Sequence, residues 1–294
     1  MITAIPIAIS NAVTTIISRQ APAAITGFTT AHGGCINRGG RLVTTAGDFF
    51  LKWNQTSSLE HMFETEANGL NILRATQAIH VPEVVSTGQV NEFQFILLEH
   101  VNQELPRNDY WAMAGRQLAA LHSKYGSAYG LDHDNYIGSI PQSNGSMKSW
   151  RRFFAARRLA PLLEQVIKLG VAPLSWRLQF EQLYKRFDTL LPEETPSLLH
   201  GDLWQGNVLV NGVGAPCLID PAVYYGHREM DLAMTTLFGQ FDASFYSAYN
   251  EAWPLQPGYE ERFEIYNLYP LLVHLKLFGS SYIAQIQSTL DAFA

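Results

Sequence analysis

The stretch Ser197-Leu198-Leu199-His200-Gly201-Asp202-Leu203-Trp204-Gln205-Gly206-Asn207-Val208-Leu209-Val210 carries the densest chemistry in the chain. Apolar positions lead into a Gly-tightened turn that bears Asp202 and, after four intervening residues, Asn207. An Asp and an Asn at that spacing suit a phosphoryl-transfer loop, in which the Asp accepts the proton of an attacking hydroxyl and the Asn holds Mg²⁺. Beyond it, Val208-Leu209-Val210 and Cys217-Leu218-Ile219 flank the turn-rich Asn211-Gly212-Val213-Gly214-Ala215-Pro216, the pattern of a hairpin. Its antiparallel return carries Asp220 back beside Asn207. Two hard oxygen donors at one hairpin mouth suit a cation that keeps several waters and bridges nucleotide phosphates. Asp202 is therefore the candidate base, and Asn207 and Asp220 are the candidate Mg²⁺ ligands. Any one of these residues alone would mean only a turn.

The pattern departs from phosphorylation-switched protein kinases. Gly201 stands where their Arg would be, Asp220-Pro221-Ala222 replaces Asp-Phe-Gly, and no Ala-Pro-Glu follows. Without that Arg an activation-loop phosphate has no evident partner, which points to a small acceptor.

Elements that could present a nucleotide to this loop lie in the first hundred residues. Gly33-Gly34-Cys35-Ile36-Asn37-Arg38-Gly39-Gly40 reads as a Gly-rich turn, and the strands Arg41 to Thr45 and Phe49 to Trp53 meet at Gly47-Asp48. Gly33 and Gly34 are candidates to lie over phosphates, because backbone without Cβ approaches closely; a plain β-turn is the other reading. Lys52, alone among Phe49-Phe50-Leu51-Lys52-Trp53, is either a phosphate-holding lysine or an edge lysine that snorkels to water. The helical stretch Leu59 to Leu73 places Met62, Phe63, Glu66, Leu70 and Leu73 on one face, so Glu66, and not Glu60 or Glu64, is the expected partner of Lys52. A second hairpin spans Pro82 to Leu98. Polarity then changes at Glu99-His100-Val101, where a hinge would offer backbone groups to adenine, or where a strand simply ends. Cys35 is either a buried filler or, beside Arg38, an exposed thiolate open to oxidation.

Past residue 100 the periodicity turns helical. Trp111, Ala114, Leu118 and Leu121 share a face of a helix ending near His122, read as a core histidine. Asp132 to Gln142 is a polar loop, a connector in preference to a metal cluster. Helices are expected over Trp150 to Leu163 and Trp176 to Leu191, followed by a helical tail. Trp204, Tyr224 and Tyr225 are candidates to meet an acceptor, and Asp231 is expected to cap a helix and brace the catalytic loop.

The chain has 294 residues, 47% hydrophobic and 16% charged, enough for a sizeable core split between two lobes. A net charge of −6 with no Lys/Arg-rich run argues against nucleic acid or anionic lipid as partner. Cys35 and Cys217 make neither a disulfide framework nor a zinc signature, and a cytoplasmic setting is expected. The Ile-rich start, interrupted by Pro6, Ser10, Asn11 and Thr14, suits an amphipathic helix and no membrane span.

Taken with Phe50-Leu51-Lys52-Trp53-Asn54, Met62 to Leu70, Asp134-Asn135-Tyr136-Ile137-Gly138, His200 to Asn207 and Asp220 to Glu229, the chain resembles the fructosamine kinase (ketosamine-3-kinase) family, related to aminoglycoside and choline kinases. The resemblance implies an α+β, two-lobed protein-kinase-like fold. Its lobes would be residues 1–100, a small antiparallel sheet with one main helix that binds nucleotide, and 101–294, mostly helical, for catalysis and substrate. It also implies ATP- and Mg²⁺-dependent phosphorylation of the 3-hydroxyl of a ribulosamine or fructosamine, free or on a protein lysine, an activity that reverses glycation. In matching positions Asp202 is the base, Asn207 and Asp220 hold Mg²⁺, Lys52 with Glu66 positions phosphates, and Glu99, His100 and Val101 form the adenine hinge. An aminoglycoside- or choline-type kinase and a non-catalytic nucleotide-binding module are the alternatives.

Overall fold

The computed structural model describes residues 5–19, 21–31, 37–56 and 59–294. Gly33, Gly34 and Cys35 lie outside the described residues, and so do the expectations attached to them. The chain divides into two compact units, Met1–Asn108 with Leu209–Asp220, and Asp109–Val208 with Pro221–Ala294. The division expected at residue 100 thus falls eight residues later, and the hairpin that ends at Asp220 groups with the first unit.

In the first unit, helix α1 (Ile7–Ile17) is followed by strands β1 (Ile25–Thr30), β2 (Arg38–Thr44) and β3 (Gly47–Gln55), helix α2 (Met62–Ala75), and strands β4 (Val84–Val90) and β5 (Phe93–Glu99). The sheet runs β1-β2-β3-β5-β4, antiparallel throughout. Ile9 and Val13, four residues apart and so on one face of α1, pack with Leu42, Leu51, Trp53, Phe95 and Leu97. Successive side chains of a strand point to opposite faces, which puts Lys52 on the face away from Leu51 and Trp53. As the central strand, β3 has both faces covered, and Lys52 is buried with its neighbours.

The second unit opens with α3 (Tyr110–His122) and a small hairpin, β6 (Asn135–Ile137) with β7 (Ile140–Gln142). The expected polar loop is therefore partly strand. Helix α4 (Trp150–Phe153) runs through a π-helical stretch, Phe154–Leu159, into α5 (Ala160–Lys168). Where the sequence suggests one regular helix, Pro161 lacks an N–H and crowds the carbonyl four residues back, and the wider turn just before it relieves the conflict. Helix α6 (Trp176–Leu190) precedes β8 (Ser197–Leu199), which pairs with β11 (Tyr224–Gly226). Between them the hairpin β9 (Val208–Val210) and β10 (Pro216–Leu218) joins the first unit, where the Leu218 N–H donates to the His80 carbonyl at 2.9 Å.

Helices α7 (Glu229–Met234), α8 (Ala243–Ala252), α9 (Tyr259–Phe278) and α10 (Ile283–Phe293) complete the unit. α3 packs on α8 closely enough that a Cβ on Gly115 would lie 2.2 Å from the Phe245 carbonyl oxygen. Among the described residues no helix is long and apolar enough to cross a membrane.

Candidate active site

In the first unit, the Lys52 ammonium donates to Glu66 Oε1 at 2.7 Å and to the carboxylate of Asp220. The three groups converge because β3 turns Lys52 toward α2, the inward face of α2 carries Glu66, and the hairpin β9–β10 delivers Asp220 from 168 residues away. Burial works against a charged lysine here. The two carboxylates outweigh it and hold the Lys52 ammonium above its ordinary range, so it stays a cation. Asp220 has φ 55°, in the left-handed region, a conformation Asp tolerates better than most residues but one that still stores strain. Glu99 ends β5, and its backbone N–H and carboxylate are both tied to Glu83, at 2.9 and 3.0 Å; the His100 ring lies 3.2 Å from the Asn102 amide oxygen. Cys217 is fully buried on β10, and burial pushes its thiol up to about 12.

In the second unit, Asp202 sits half-buried on the turn after β8. The Asn207 amide donates to the Asp202 carbonyl at 2.8 Å and to its Oδ2 at 3.2 Å. That fixes the amide's orientation and leaves the Asn207 carbonyl oxygen as the atom to offer a cation. The turn is held from below by Asp231, whose carboxylate accepts the N–H of His200 at 2.7 Å and of Gly201 at 2.9 Å. Asp231 is not the helix cap the sequence suggests. Helix α7 begins at Glu229, two residues earlier, and the acid faces the loop from inside the helix. His122 is the core histidine expected: its Nε2 lies 3.2 Å from Asp231 and its Nδ1 2.8 Å from the Tyr249 hydroxyl.

The candidate acceptor residues fare differently. Tyr224 is 1% exposed, with the Arg158 guanidinium 4.0 Å from its ring centroid, so it has no surface to offer a substrate; its alternation on β11 turns it into the core. Tyr225 is half-buried, and its backbone exchanges hydrogen bonds with Gly130. Trp204 is half-buried two residues after Asp202, with its ring edge-on to Phe238 at 6.1 Å. The Phe238 ring in turn lies 4.2 Å from that of His274, tilted by 34°, and His274 lies 5.3 Å from Tyr282. Sequence reasoning singled out Trp204 and missed Phe238, His274 and Tyr282. Their only signal was an aromatic-rich tail.

A family model described as fructosamine kinase matches residues 9–294. The chain belongs to the fructosamine kinase family. It is accordingly a phosphotransferase with an alcohol group as acceptor, and use of ATP goes with that membership. A probable ketoamine kinase of Synechocystis sp. is 40% identical over 88% of this chain and 87% of its own length. The chloroplastic protein-ribulosamine 3-kinase of Oryza sativa subsp. indica is 38% identical over 92% of this chain and 79% of its own. Among solved structures, a fructosamine-3-kinase candidate from Haemophilus somnus superposes with a TM-score of 0.86 at 31% identity, covering 96% of each chain. An aminoglycoside phosphotransferase, at 17% identity and a TM-score of 0.64 over 96% of this chain and 97% of its own, shares the kinase-like fold.

Proposed function

We propose that the chain transfers the γ-phosphoryl group of ATP to the 3-hydroxyl of a ketosamine, a ribulosamine or fructosamine, free or on a protein lysine. The observation that carries the reading is Lys52, a buried cation held by both Glu66 and Asp220. Such a lysine suits a polyphosphate chain better than it suits folding, since a buried ion pair is weak support for stability.

Asp202 accepts the hydroxyl proton as the sugar oxygen bonds to phosphorus and the bond to the leaving ADP oxygen breaks. Lys52 holds the phosphates, with Glu66 keeping it in place, and Glu99, His100 and Val101 meet the adenine. The donor set fits Mg²⁺: Asn207 presents a carbonyl oxygen and Asp220 a carboxylate whose side chain is 45% exposed, at the two ends of one hairpin. Bound there, Mg²⁺ would neutralise charge on the β- and γ-phosphates.

On the acceptor side, the half-buried aromatic cluster of Trp204, Phe238 and Tyr282 would suit the protonated amine that distinguishes a ketosamine from a plain sugar. Phosphorylation at that hydroxyl would destabilise the adduct and so serve deglycation. A coupled ADP-release assay with Mg-ATP against ribulose-lysine, fructose-lysine, choline and kanamycin tests the reading. Turnover with a ketosamine and none with choline or kanamycin is expected. Turnover confined to kanamycin or choline would replace it.

A further inference from the structure

The segment Asp134 to Gly138 takes no part in the chemistry above, yet it lies at the centre of a buried polar chain within the second unit. The chain starts at Arg158, which is fully buried in the π-helical stretch. Among the described residues no carboxylate lies within salt-bridge reach of Arg158. Its guanidinium rests instead over the rings of Tyr224 and Phe153, at 4.0 and 4.6 Å.

A guanidinium can only donate, and this dictates the polarity of everything beyond it. Arg158 donates to Asn144 Oδ1 at 2.7 Å, which turns the Asn144 amide nitrogen toward Asn135 Oδ1 at 2.8 Å. That in turn directs the Asn135 amide nitrogen at the Val223 carbonyl, again at 2.8 Å. A branch enters from α9: the Tyr269 hydroxyl donates to Gln142 Oε1 at 2.6 Å, and Gln142 donates to Asn135 Oδ1 at 2.8 Å and to the Ala222 carbonyl at 3.2 Å. Burial pushes the Tyr269 phenol far up, so it remains a donor. Both arms end on consecutive carbonyls of Ala222 and Val223. The Ala222 N–H donates to His200 at 2.8 Å, and the Ala222 oxygen lies so close to Gly201 that a Cβ there would stand 2.0 Å from it.

We propose that the Arg158–Asn144–Asn135 relay, with its Tyr269–Gln142 branch, is a positioning device for phosphoryl transfer: by fixing the Ala222 and Val223 carbonyls it sets the seat on which the His200–Asp202 turn rests. Arg158, Asn144, Asn135, Gln142 and Tyr269 are positioning residues, acting through the backbone. A displacement of about 1 Å in a reacting group can lower a rate on the order of 10²-fold. The inference rests on the reading of Asp202 as the base.

Asn135→Asp keeps the size and both accepted bonds of Asn135 but turns an oxygen toward Val223. Tyr269→Phe deletes one hydroxyl and provides a mild variant should Asn135→Asp fail to fold. Arg158→Met removes the source of the relay, and Arg158→Lys restores a buried cation. For each, kcat, KM for Mg-ATP and for the ketosamine, melting temperature, and hydrogen exchange at the Ala222 amide are measured, with Asp202→Asn alongside.

The expected result is a fall in kcat of at least about 10-fold for Asn135→Asp and Arg158→Met, with both KM values within about 3-fold. Tyr269→Phe falls less, Arg158→Lys recovers part of the loss, and Ala222 exchanges faster wherever kcat drops. The proposal is overturned if Asn135→Asp and Tyr269→Phe hold wild-type kcat well below their melting temperatures while Asp202→Asn is inactive. That outcome would make the relay merely structural. Near-wild-type turnover in Asp202→Asn would instead remove the base assignment.

Discussion

At the scale of single residues, the decisive group is Asp220, because its ion pair with Lys52 and its proposed place as a metal ligand would pull on one carboxylate. In the structure it shares Lys52 with Glu66, and its side chain is nearly half exposed, so the second oxygen is available to a cation. Asp220→Ala is expected to weaken Mg-ATP binding by about 10-fold or more and to lower turnover with it, whereas Asp202→Asn lowers kcat by about 10²-fold or more and leaves nucleotide affinity close to wild type. Nucleotide titrations across a range of Mg²⁺ concentrations separate the two. Unchanged affinity in Asp220→Ala would remove it from the metal site.

At the scale of elements, the turn that bears Asp202 is built by what holds it as much as by what it carries. Asp231 inside α7 takes two successive N–H groups of the turn, and β11 closes against β8 beside it. Gly201, at φ 82°, is the point where these constraints meet. A side chain there would be strained by the backbone angle and would also meet the Ala222 carbonyl, which explains why the Arg of switched protein kinases has no place in this loop. Gly201→Ala is expected to destabilise the fold by about 1–3 kcal/mol and to lower kcat more than about 10-fold while nucleotide still binds. Thermal melts and steady-state kinetics measure both; a variant with wild-type melting temperature and kcat would show that the turn can shift freely.

At the scale of the whole molecule, the second unit buries an ionic cluster that makes the fold sensitive to acid. Burial lowers the His227 imidazole to about 4, with Glu194 opposing and Arg228, Arg262 and His122 assisting. Glu194, which burial alone would raise, is held below its ordinary range by His227, Arg228 and Arg262. In both cases the unfolded chain binds the proton more readily than the folded one. The associated stability is therefore complete above about pH 6.5 and is lost as pH falls toward 4, by about 3 kcal/mol for the histidine at 1.36 kcal/mol per pH unit. Urea midpoints should be flat above pH 6.5 and fall below it, and His227→Asn should have a shallower fall. An identical slope in wild type and variant would place the acid sensitivity elsewhere.

Local periodicity by itself determined much of this protein. A lone lysine in the apolar run Phe49 to Trp53 singled out Lys52 but left an edge lysine open, helical spacing put Glu66 on the inward face of α2, and turn residues between two apolar runs announced the β9–β10 hairpin. The Asp202-to-Asn207 spacing is likewise a property of a few adjacent residues, and the two side chains do meet. Tertiary structure alone decided the rest. Tyr224 reads as a candidate to meet an acceptor just past Asp220 and proves to be core, because the outcome depends on Arg158 and Phe153 arriving from a distant helix. Asp231 reads as both a cap and a brace and proves to be the brace alone, because the N–H groups that donate to it lie thirty-one and thirty residues away. The relay through Asn135 left no pattern at all beyond a short motif. Period and spacing are set by backbone geometry within one element, whereas a buried polar side chain is defined by the partners that replace its water, and those partners come from whichever elements the packed core brings together.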